Sequence, residues 1–177
     1  MDLAIFRRQD PGGVLWQPRL EFWYHVNQTR GTLPEHLREA SLMDVYDYCQ
    51  ASVRYFGNGL RSRYKNVQYT EQWESPKVLR RTWETPIGTL TDTRHYDDLK
   101  TTAHNAEYPV KTLDDFRILE FMLQDEEWYW DQEVYEQAVA TVGDRGAPQF
   151  YFRRSPIQNL FIREVGFEKT IYWLYDH

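Results

Sequence analysis

Arg153, Arg154 and Ser155 follow the apolar run Pro148-Gln149-Phe150-Tyr151-Phe152 and precede Pro156. The run predicts a strand, and Ser155-Pro156 predicts the start of a helix. Serine at the N-cap with proline next is a strong start signal, because proline lacks the N–H that would be orphaned there. Two guanidinium groups beside a helix N-terminus make a place for an anion, either carboxylate or phosphate. The pattern recurs at Trp16-Gln17-Pro18-Arg19, where Arg19 follows the apolar run Val14-Leu15-Trp16. In α/β architectures ligands bind beyond the carboxyl ends of strands. Arg19, Arg153, Arg154 and Ser155 are therefore the candidate substrate-binding residues. The competing structural reading pairs Arg153 and Arg154 with an acid such as Glu127 or Glu133, and Arg19 with Glu21.

Other chemistry-bearing residues offer less. His25, His36, His95 and His104 show no paired metal-ligand spacing, and the chain has no C-x-x-C, H-x-x-x-H or G-x-S-x-G. Cys49 falls on the apolar side of a predicted helix and reads as core. Gly143-Asp144-Arg145-Gly146 reads as a turn rather than a phosphate loop. Asp114-Asp115 and Asp125-Glu126-Glu127 read as caps or solvated faces.

The elements that must position these residues follow from periodicity. Val14-Leu15-Trp16 predicts a buried strand, and Leu20 to Gln28 a helix closed at Gly31. Ser41 with Asp44 forms a capping box before Leu42, Val45, Tyr46 and Cys49 at helical spacing. From Arg61 to Tyr96 alternation replaces the helical period, with Pro76 and Pro86-Ile87-Gly88 as punctuation. That stretch, about 61–96, predicts an inserted antiparallel meander. Thr112 to Gln124, Asp131 to Val142, Pro156 onward and Phe167 to Tyr175 predict four more helices. Helix and strand in alternation argue for βα units on a parallel sheet.

Composition narrows the class. The 177 residues are 41% hydrophobic and 27% charged, which supports a packed core. Aromatics reach 16%, so they fill a core or line a pocket for a large flat ligand. A formal net charge of −6 argues against nucleic-acid binding. One cysteine excludes an internal disulfide and suits a cytoplasmic setting. Neither a signal peptide nor a membrane span is predicted.

Four stretches carry a family resemblance: Val14-Leu15-Trp16-Gln17-Pro18-Arg19 with Gly31-Thr32-Leu33-Pro34-Glu35; Thr85-Pro86-Ile87-Gly88-Thr89-Leu90; Glu107 to Thr112 with Asp114-Asp115; and Ser155-Pro156 through Gly166-Phe167-Glu168. Together they resemble the uroporphyrinogen decarboxylase superfamily, closer to its corrinoid methyltransferase-like or uncharacterised branch. The resemblance implies an α/β chain forming the first half of a (β/α)₈ barrel, with 1–177 as a single, truncated domain. It implies a tetrapyrrole or corrinoid ligand and either decarboxylation or corrinoid-dependent methyl transfer, with Arg19 holding ligand carboxylates. No counterpart of the family's second arginine follows Arg19, and Phe161 and Ile162 stand where its active-site tyrosine would fall. No cofactor is expected within this chain, while zinc and a corrinoid belong to a full-length methyltransferase-like parent. A half-barrel would associate with itself or with a C-terminal half. The alternative is a non-catalytic binding or structural protein, or one half of a split enzyme.

Overall fold

The computed structural model describes residues 2–53, 56–149 and 152–176. The chain divides into two compact units, one comprising Met1–Arg61 with Tyr129–Tyr151, the other Ser62–Trp128 with Phe152–His177. Both are mixtures of helix and strand.

The first unit holds helices α1 (Asp2–Phe6), α2 (Leu20–Arg30), α3 (Leu42–Tyr48) and α5 (Gln132–Val142). Helix α2 ends as its sequence demands, at Gly31 in the left-handed region with φ 65°. Helix α3 starts with a full capping box. Asp44 N–H donates to Ser41 Oγ at 3.2 Å, and Ser41 N–H donates to Asp44 Oδ2 at 2.8 Å. Tyr24, Leu33, Leu37 and Val45 form one core cluster, and Tyr46, Ala51, Val53 and Val142 another.

The second unit is built on a four-stranded antiparallel sheet: β2 (Gln68–Ser75), β3 (Val78–Thr85), β4 (Gly88–Tyr96) and β5 (Ala103–Glu107), in that spatial order. Two-residue turns at Pro76-Lys77 and Pro86-Ile87 fix its register, pairing Ser75 with Val78 and Thr85 with Gly88. Helix α4 (Asp115–Asp125) covers one face, and Leu90, Val110, Leu119, Met122 and Val165 are buried there. The unit closes with α6 (Pro156–Asn159), a π-helical turn (Leu160–Glu164) and α7 (Phe167–Asp176). Strands β1 (Leu60–Tyr64) and β6 (Glu126–Trp130) pair as a separate ribbon.

Three expectations change. The inserted meander exists, but it is four strands over residues 68–107 rather than about 61–96, since β1 pairs with β6 instead. Val14-Leu15-Trp16 is not a strand: Val14 is 91% exposed, and Trp16 O accepts a hydrogen bond from Ser52 N at 2.9 Å. Three apolar residues after a glycine pair have no ladder to join, and such short runs carry no period. The strand expected at Pro148–Phe152 falls partly on Phe150 and Tyr151, which lie outside the described residues. Phe152 itself is irregular and 74% exposed. Among the described residues the parallel pairing is one isolated bridge, Val53 with Gly146. No described helix is long and apolar enough to cross a membrane.

Candidate functional site

Alternation along two neighbouring strands builds the floor of a pocket. Successive side chains on a strand point to opposite faces. Leu79, Arg81 and Trp83 on β3 stand opposite Arg94, Asp92 and Leu90 on β4, on the face that carries the core. Two arginines and an aspartate thus occupy positions of core parity. Asp92 is completely buried. It receives Arg81 Nε at 2.8 Å and a second bond from the same guanidinium, a bidentate pair. Arg94 Nε lies 4.0 Å from Asp92 Oδ2 and is a buried donor without a hydrogen-bond partner. Burial works against the charge on Arg81. The Asp92 carboxylate, with Tyr69 beside it, outweighs that effect and raises the Arg81 pKa.

Above this floor lies a pocket of about 580 Å³. That is an ordinary size for a small-ligand site. Tyr64, Trp83, Phe116, Leu119, Leu123 and Leu160 supply its apolar wall. Its charged lining is five arginines, Arg81, Arg94, Arg153, Arg154 and Arg163, against two glutamates, Glu120 and Glu164. An apolar recess of about 80 Å³ shares several of these walls and reaches Leu90 and Met122.

The carboxyl groups divide by role. Asp92 holds Arg81, and Glu126, whose side chain is 3% exposed, holds Arg153. The Arg153 guanidinium also stacks 5.0 Å from the Trp128 ring centroid. Glu164 takes no ion-pair or hydrogen-bond partner through its side chain among the described residues. Burial pushes its pKa up from the ordinary glutamate value, against the pull of Arg153, Arg163 and Arg81. Burial likewise raises the Tyr64 phenol, helped by the Glu126 charge.

The chain matches no family model, no curated protein and no solved structure.

Two of the four sequence-derived candidates belong to this pocket. Arg153 and Arg154 both line it, and the acid that pairs with Arg153 is Glu126, where an acid such as Glu127 or Glu133 was expected. Ser155 caps α6 without a side-chain hydrogen bond and does not line the pocket. With only four α-helical residues, α6 aligns few peptide dipoles, so the expected helix-end attraction is small. Arg19 belongs to the first unit. It is exposed, precedes α2 without capping it, and makes no ion pair with Glu21. The sequence reading missed Arg81, Arg94, Arg163 and Glu164. The signal for the first two was present: charged residues at the same parity as Leu79, Trp83 and Leu90.

A second, larger cleft of about 730 Å³ lies in the first unit. Its single guanidinium, Arg145, is held by both Asp47 oxygens at 2.6 Å, so no cation is left over for a ligand. Among the described residues no group of three or more His, Cys, Asp and Glu is placed to hold a metal.

Proposed function

We propose that the second unit binds an organic polyanion with a flat apolar body. The observation that carries this reading is the convergence of five arginines on an aromatic-walled pocket where, among the described residues, buried carboxylates hydrogen-bond only Arg81 and Arg153, and Arg94 meets Asp92 at 4.0 Å without a hydrogen bond. Arg94, Arg154 and Arg163 remain to meet an incoming charge. Arginine suits that role because its planar fork matches carboxylate and phosphate. The rings of Tyr64, Trp83 and Phe116 suit an apolar ligand surface.

A polycarboxylated tetrapyrrole, the ligand that the family resemblance implies, meets this description. The narrower reading takes the chain as the N-terminal part of a uroporphyrinogen decarboxylase-like (β/α)₈ enzyme. Decarboxylation needs a proton delivered to the carbon that loses CO₂. Glu164, its carboxyl held up by burial, is the group in the wall suited to carry it. Corrinoid-dependent methyl transfer is the other form of this reading. The antiparallel pairings of the second unit give the barrel no support, so the ligand class bears more weight than the fold assignment.

The test is calorimetric titration with a polycarboxylated porphyrin and with a cationic porphyrin of similar size. Saturable binding of the anionic ligand alone is expected. Arg94→Ala should weaken it about 10- to 100-fold, the worth of one hydrogen bond to a charged group. Equal binding of both porphyrins, or of neither, overturns the proposal.

A further inference from the structure

His95 and His104 are nine residues apart in sequence, a spacing with no meaning for metal binding on a single element. The sheet gives it one. The two residues stand directly opposite each other on β4 and β5. Asp97 N–H donates to Thr102 O at 3.1 Å two rungs away, which fixes this end of the ladder. Their neighbours Arg94 and Asn105 point to the inner face, so the histidines share the outer one, and both are exposed. Neither imidazole has a hydrogen-bond partner among the described residues. The rings meet each other instead, with centroids 5.5 Å apart and planes at 68°.

That separation is close to what one metal ion requires. With metal–nitrogen bonds of about 2.0–2.1 Å, two coordinated imidazole rings have centroids about 5 Å apart at the tetrahedral angle of zinc(II) and about 4.5 Å apart at the right angle of tetragonal copper(II). A small χ rotation on each exposed side chain closes the difference. Nearby cations are already neutralised, Lys77 by Asp98 and Arg80 by Glu74.

We propose that His95 and His104 chelate one divalent late transition-metal ion, copper(II) ahead of zinc(II), with water completing its coordination. Imidazole suits both ions, and copper(II) stands above zinc(II) in the usual affinity order. The site lies on the face opposite the arginine pocket's floor and does not depend on the proposed polyanion. Because it clips β4 to β5 in the folded chain only, bound metal should also raise thermal stability.

The experiment titrates the full chain at pH 7.5 with copper(II), and separately with zinc(II), by calorimetry. Electron paramagnetic resonance of the copper form reports nitrogen ligation. Alanine and glutamine variants at His95 and at His104 are compared with His25→Ala and His36→Ala; the glutamine variants keep a side chain on each strand. One site is expected that weakens at least about tenfold in each His95 and His104 variant, since losing either ligand removes the chelate. It should persist in the His25 and His36 variants. Zinc should raise the melting temperature of the parent and not of the His95 and His104 variants. If affinity is unchanged in either His95→Gln or His104→Gln, the two do not chelate one ion and the proposal is overturned.

Discussion

Asp92 is the residue on which the pocket floor depends. A carboxylate with no solvent exposure is tolerable only if its charge is answered, and Arg81 answers it with two bonds. Asp92→Asn leaves that guanidinium buried without a counter-charge. A loss of about 3–5 kcal/mol in urea-unfolding stability is expected; a change under 1 kcal/mol would show the pair to be incidental. Glu164 makes the opposite case. Its folded pKa is raised by burial, so folding favours the protonated form. The stability it contributes is complete below the unfolded glutamate pKa and is lost as pH rises through the folded value. Glu164→Gln should therefore flatten the stability–pH curve above the ordinary value of 4.5. A bound polyanion beside Glu164 would raise its pKa further, so binding should take up a proton and strengthen as pH falls. Calorimetry in buffers of different ionisation enthalpy would measure that uptake. The sequence showed the arginines at 153 and 154 because they are adjacent. It concealed Arg81 and Arg94, because a charge at core parity looks like surface until its buried partner is known.

Helix ends were the most legible elements, since their signals are local chemistry. Ser41 and Asp44 form the expected box, and Asp131 caps α5 by accepting from Val134 N–H at 3.1 Å. Ser41→Ala should cost about 1 kcal/mol in thermal or chemical unfolding. At α4 the same chemistry is shifted by a turn's start. Thr112 N–H does donate to the Asp115 carboxylate at 2.8 Å, yet the helix itself begins at Asp115. Gly166 carries a requirement that sequence showed only as a stop. Its φ is 93°, and a Cβ there would lie 2.7 Å from the Tyr108 ring. Gly166→Ala combines backbone strain with overpacking and should destabilise by about 1–3 kcal/mol. A melting temperature within error of the parent would remove that reading. The meander was visible as alternation, but its last strand was not. Ala103–Glu107 has one apolar member in each direction and takes its identity from pairing with β4.

At the scale of the molecule, the charge that matters is local. The chain carries a formal −6, while its pocket carries a surplus of arginine. Anion affinity should fall with ionic strength, because Arg154 and Arg163 are exposed and act largely through solvent-screened attraction. Titrations between about 0.05 and 0.5 M salt would show this, a range across which the Debye length shrinks by about threefold. Salt-independent binding would mean that apolar contacts dominate. Fold class was readable only coarsely. The mixture of helix and strand was correct, whereas the parallel arrangement rested on apolar triplets too short to have a period. Two of the strand pairings are set locally by proline-containing turns, whereas the pairing of β1 with β6 is a long-range fact that no local signal carries.

Between Leu160 and Glu164 the backbone holds a π turn, closed by Val165 N–H donating to Leu160 O at 3.0 Å. Such a turn contains one residue more than an α-helix would use over the same rise. Removing one residue there would rotate whatever follows by about 100° relative to whatever precedes. Either Arg163 and Glu164 would leave the pocket, or Val165 would leave the core. Descendants of this chain could therefore exchange side chains along the segment far more readily than they could lose or gain a residue within it. The mark of common use would be constant length here, even where letters drift.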